Sequence, residues 1–61
     1  MKKEYLYWFT TEKGDCACND FYGTYEKCET YAQKMCNILG EDIFINCGED
    51  IVGVVFPDEY L

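Results

Sequence analysis

The chain has no histidine, no arginine and no serine, and only one proline, in 61 residues. Each absence removes a class of chemistry. Without His and Ser the hydrolase triads cannot be assembled, and a cysteine nucleophile would lack its imidazole base. Without Arg no guanidinium fork is available to clamp a carboxylate or a phosphate. The acidic pairs Glu41/Asp42 and Glu49/Asp50 are neighbours in sequence, which suits turns and caps rather than the opposed carboxyls of a glycosidase cleft. "DCACNDFYGTYE" lacks the glycine and oxygen positions of a calcium loop. A domain this short also has little volume for a substrate pocket of ordinary size. The expectation is a chain that is not an enzyme and needs no cofactor.

Positive charge is scarce as well: five lysines stand against twelve Asp and Glu, for a net charge of -7. A nucleic-acid surface needs a basic stripe that displaces counterions from phosphate, and the longest basic run here is Lys2-Lys3. Direct nucleic-acid binding is therefore not expected. The acidic residues are dispersed, many of them flanking turns, and their first effect is on solubility. Converging in space, they would instead suit a basic protein partner. The opening "MKKEYLYWF" and the rest of the chain hold no apolar run long enough for a signal peptide or a membrane span. Cysteines number five, an odd count that argues against a disulfide framework. A cytoplasmic protein with reduced thiols, and no membrane contact, is the reading that follows.

What the chain does have is apolar substance. Hydrophobic residues make up 49% and aromatic residues 18%, enough for one folded domain spanning residues 1–61. At this length every apolar stripe is needed to offset about 1.5 kcal/mol of ordering entropy per residue.

"EYLYWFTT" has strand composition, "EKGD" reads as a tight turn centred on Lys13 and Gly14, and "DCACNDFY" returns as a second strand. That register sets Phe9 opposite Cys18, Thr11 opposite Cys16, Leu6 opposite Phe21 and Trp8 opposite Asn19. Thr24 is an N-cap for a helix reaching Leu39, with Tyr25, Cys28, Ala32, Met35, Cys36 and Leu39 on one face and Gly40 as its left-handed stop. "EDIFINC" and "DIVGVVFP" form a closing hairpin, in which Ile43, Ile45 and Cys47 share the helix-facing side with Val52, Val54 and Phe56. The fold class is α+β, in the order ββαββ: an antiparallel sheet with one helix packed on one face.

A single helix covers one side of such a sheet, so the other side must be accounted for. It is expected to carry Phe44, Ile51 and Val55, together with one alternating set from the first hairpin. That set is either Tyr5, Tyr7, Phe9, Cys16, Cys18 and Tyr22, or Leu6, Trp8, Ala17 and Phe21. The candidate partner-binding residues are Tyr5, Tyr7, Phe9, Phe44, Ile51 and Val55. A contiguous apolar patch of this kind marks a contact with another protein or with a second copy.

Cys16 and Cys18 are the candidates for metal or redox chemistry. On a strand, positions i and i+2 project to one face, so a C-x-C pair could offer two thiolates to one metal. Structural zinc needs four ligands. Cys28 and Cys36 lie about 12 Å apart along a helix, too far to share an ion at ~2.3 Å Zn–S distances. No metal is expected, and Cys28, Cys36 and Cys47 are read as small apolar core residues.

"FYGTYEKCETYAQKM", followed by "LGEDIFIN" and "IVGVVFP", resembles a loose group of small uncharacterised bacterial and phage or mobile-element proteins. They share a strand pair, a helix opening on Thr and acidic residues, and an Ile/Val-rich closing hairpin. The resemblance covers most of the chain and carries no catalytic residue. It implies a short acidic product that binds and inhibits a host protein by occlusion. The alternatives are a structural homodimer and a cysteine-dependent metal or redox protein centred on Cys16 and Cys18.

Overall fold

The computed structural model describes residues 3–58. It is an α+β domain in which four antiparallel strands form one sheet in the order β2-β1-β3-β4, with a single helix against one face. The elements are β1 (Tyr5–Thr11), β2 (Phe21–Gly23), α1 (Tyr25–Leu39), β3 (Ile43–Cys47) and β4 (Asp50–Val55). Because β2 and β3 both oppose β1, they run the same way, and α1 crosses over β1 to join them. Among the described residues no helix is long and apolar enough to cross a membrane.

The helix begins where Thr24, in extended backbone, accepts the Lys27 N–H on its hydroxyl at 3.3 Å. It ends at Gly40, whose φ of 70° lies in the left-handed region and whose N–H donates to the Cys36 carbonyl at 2.8 Å. Its buried line is Cys28, Ala32 and Cys36, three small side chains at i, i+4 and i+8 that let the helix lie close to the sheet. Larger residues flank that line, including Tyr31, which packs on Phe9 and stacks on Phe21 with centroids 5.2 Å apart. Leu39, expected on the apolar face, is 46% exposed as the last residue of the helix. The core joins these helix residues to Tyr7, Phe9, Ile43, Ile45 and Val55.

Both hairpins depart from their expected register. In the first, the loop is Glu12-Lys13-Gly14: Thr11 N–H donates to Asp15 O at 2.8 Å and Gly14 N–H to Thr11 O at 2.9 Å. Thr10 then bridges Cys16, while further along Leu6 pairs with Tyr22 and Tyr7 with Phe21. The segment after Ala17 carries more residues than the stretch of β1 it faces, so regular pairing is interrupted and β2 shrinks to three residues. This irregular passage turns Cys18 and Phe21 inward against the core.

In the second hairpin the Gly48-Glu49 loop pairs Cys47 with Asp50 and Asn46 with Ile51, but Ile45 pairs with Gly53, leaving Val52 as an extra residue. That bulge reverses the facing of the rest of β4. Gly53 and Val55 turn to the helix, and Val52, Val54 and Phe56 turn away, opposite to the expected arrangement. The gain is visible at Gly53: the Tyr25 hydroxyl occupies the space a side chain there would need.

Candidate functional site

The side of the sheet away from α1 is open. On β1, Leu6 and Trp8 point outward while Tyr7 and Phe9 are buried under the helix. Tyr22 joins the open side as the partner of Leu6, and Phe44 and Val54 face each other across β3 and β4. Both residues at the β4 bulge, Ile51 and Val52, are exposed, as is Phe56 beyond the strand. Leu6, Trp8, Tyr22, Ile51, Val52, Val54 and Phe56 each keep between 36% and 65% of their surface in water. Together they expose on the order of 700 Å², near the about 800 Å² per partner that a standard interface buries.

A polar pin sits in the middle of this surface. Asn46, only 5% exposed, points to the open side, and its amide nitrogen lies 3.2 Å from Trp8 O, 3.2 Å from Thr10 Oγ1 and 3.3 Å from Phe44 O. The Trp8 indole N–H donates to Gly48 O at 2.9 Å, which carries the ring from β1 across β3 to the loop before β4. One side chain thus ties the two central strands together, and the indole is held as a fixed aromatic plate over them.

Charge gathers at the strand ends. Glu4, Glu49 and Asp50 lie at one end with Lys3, and Glu12, Asp15 and Glu41 at the other with Lys13, all exposed, while Lys27 and Lys34 are on the helix. The open surface is therefore an apolar centre between acidic margins.

Of the candidate partner-binding residues, Ile51 and the half-buried Phe44 lie on this surface. Tyr7, Phe9 and Val55 do not: at 4%, 0% and 4% exposure they are core. Tyr5 shares their side of β1 and is 45% exposed beside the start of the helix. The correction has two causes. For β1, composition left both alternating sets eligible, and the outward one proved to be Leu6 and Trp8, although Ala17 and Phe21 of that set pack inward. For β4, the bulge at Val52 reversed the alternation. Missing from the candidates were Leu6, Trp8 and Tyr22, which stood in the two alternative sets, and Val52, Val54 and Phe56, which were expected on the helix side; Gly53, a residue with no side chain to bury, was the one signal that could have marked the inward position on β4.

The cysteines are free. Cys28 and Cys36 are fully buried and Cys47 packs against the core, in line with the apolar role expected for them. Cys16 is exposed beside the Thr10 bridge, whereas Cys18 is half-buried against the core, so the pair does not share one environment. Burial raises the Cys18 thiol, a hydrogen bond with Tyr31 opposes this, and Asp20 adds to the rise. Among the described residues no cluster of three or more Cys, Asp or Glu is placed to hold a metal ion.

Comparison with protein-family models, with curated proteins and with solved structures finds no match to this chain.

Proposed function

We propose that this protein is a binding module whose open sheet face takes a protein partner with an apolar patch and a basic margin, and acts by occluding that partner's surface. The observation that carries this reading is the set of seven large apolar side chains left in water on one side of a folded sheet, with carboxylates at both ends. The rigid Trp8 plate and the neighbouring aliphatic residues are the kind of centre where binding energy concentrates, and the acidic margins steer the encounter. The resemblance to short phage and mobile-element products gives the reading its specific form, an inhibitor of a host protein in the reducing cytoplasm. No catalytic step is assigned to it.

The same apolar surface also favours a second reading, a homodimer that buries the face on itself. One pair of experiments tests both. The double variant Leu6→Asp/Val54→Asp places charges where solvent already reaches, so its melting temperature should stay within a few degrees of the parent. It should lose the partner retained on the immobilised parent chain and, if the parent sediments as a dimer, should sediment as a monomer. A parent chain that is monomeric and retains nothing, or a variant that binds as the parent does, overturns the proposal.

A further inference from the structure

The fold leaves one polar atom unused at the centre of the open sheet face. Asn46 is only 5% exposed, and its amide nitrogen is committed to Trp8 O, Thr10 Oγ1 and Phe44 O. Two of those acceptors are backbone carbonyls, which have no hydrogen to donate, so the nitrogen is the atom that faces them and the oxygen faces away. Thr10 and Phe44 are cross-strand partners on the same side of Asn46 along the sheet. Oδ1 diverges from the nitrogen at the amide carbon and is turned the other way, toward the end of β3 and Gly48. No hydrogen bond among the described residues reaches it. Since no side-chain oxygen buried from water among them lacks a partner, Oδ1 keeps a small opening to solvent. A partner that covers this acceptor without donating a hydrogen would leave it buried and unsatisfied.

The groups around Oδ1 select the donor. Trp8 is the cross-strand partner of Asn46, with Cβ atoms about 5 Å apart in a pair of this kind. Its indole is fixed by the bond to Gly48 O, is 36% exposed and has no other ring of the described residues packed on it. Glu49 follows Gly48 directly, is exposed, and makes no side-chain hydrogen bond or ion pair among the described residues. Lys3, the lysine at this end of the sheet, lines the hollow at the start of α1 on the helix side. An aromatic plate, a lone acceptor and a carboxylate in a chain of net charge -7 call for a flat cation with several N–H groups. A guanidinium stacks on the indole, donates to the amide oxygen and pairs with the carboxylate at once, whereas an ammonium is a compact, strongly hydrated point charge. We propose that Trp8, Asn46 and Glu49 form the seat of one arginine side chain of a protein partner. The proposal rests on the reading of the open face as a binding surface and gives its basic partner one defined residue. A second copy of this chain has nothing to place there, because the sequence contains no arginine.

The test is a titration of the full chain with the blocked peptide acetyl-Leu-Arg-Leu-amide, followed through the Trp8 indole N–H and the Asn46 side-chain amide signals in NMR spectra. Saturable shifts of both are expected, with an affinity of roughly 1 mM. The citrulline counterpart, which keeps the planar donors and loses the charge, should bind about tenfold more weakly. The lysine counterpart, which keeps the charge and loses the plane, should bind at least about threefold more weakly. Trp8→Leu should weaken the arginine peptide by about tenfold and Glu49→Gln by roughly threefold. Should Trp8→Leu fail to fold, the three peptides on the native chain still decide. Arginine and lysine peptides that bind equally, arginine and citrulline peptides that bind equally, or an absence of saturable shifts at Trp8 and Asn46 would overturn the seat. If the arginine peptide fails while the parent chain retains a partner that the Leu6→Asp/Val54→Asp chain loses, the seat falls and the binding face stands; if no partner is retained either, both fall.

Discussion

Cys28 shows how a single buried group shapes the behaviour of the whole chain. It lies at the first buried position of α1 with no exposed surface, and burial pushes its thiol up from 9.0 to about 11, with Cys18, Glu29 and Cys47 adding to the rise. The unfolded chain ionises this thiol near its ordinary value, so between about pH 9 and pH 11 the unfolded state holds fewer protons than the folded one. Stability is therefore intact below pH 9 and falls as pH rises toward 11, by on the order of 2 kcal/mol for this group. Urea melts at pH 7 and pH 10.5 should show the loss, and Cys28→Ala should remove its own share of the pH dependence. A Cys28→Ala slope as steep as the parent's would mean that other groups carry the effect. Cys36, also raised chiefly by burial, titrates in the same direction and leaves a remainder.

At the scale of elements, the decisive contact is Tyr25 over Gly53. The bulge at Val52 lets the hairpin place a residue without a side chain beneath the Tyr25 hydroxyl, and Val55 opposite Ile43 in the core. Gly53→Ala should cost about 1–3 kcal/mol by overpacking. Much of that cost should return in the double variant with Tyr25→Phe, which removes the obstructing oxygen. Denaturant melts of the four chains form a cycle, and strictly additive changes would show that the two residues are not coupled through this contact.

This contact also marks the limit of what the sequence discloses. The helix was legible at both ends, because Thr24 and Gly40 act on backbone groups within one turn of themselves. The element order was legible from β-rich segments flanking one helical period. The facing of β4 was not, because one extra residue reverses every later side chain, and that residue is chosen by packing against Tyr25, far away in sequence. The Ala17–Phe21 passage is the same case: Phe21 turns inward for Tyr31, a partner on the helix. An unshielded apolar side could be inferred from the count of helices, whereas the membership of that side waited on the Val52 bulge and on the interrupted pairing before β2. For β1 the alternation was clear but its phase was not, since Tyr7/Phe9 and Leu6/Trp8 are equally apolar sets.

For the molecule as a whole, charge separates the two ways of covering the open face. Two copies would bring together chains that each carry a net charge of -7, a repulsion felt at a Debye length of about 30 Å in ~0.01 M salt and largely screened at about 8 Å in ~0.15 M. Self-association should therefore tighten as salt is added over that range, whereas a partner with a basic margin should bind more weakly. Sedimentation and binding isotherms across the same salt series give opposite signs for the two, and a salt-independent complex would mean that the acidic margins take no part in it.

The sheet's borders bear on how far any such assembly can grow. On one side β2 offers only three residues of pairing, and on the other β4 is interrupted by its bulge and followed by Pro57. Neither border makes a good template for a further strand. Stacking through the open side would consume the apolar surface of both participants at once, so an assembly built on that contact would end at two bodies.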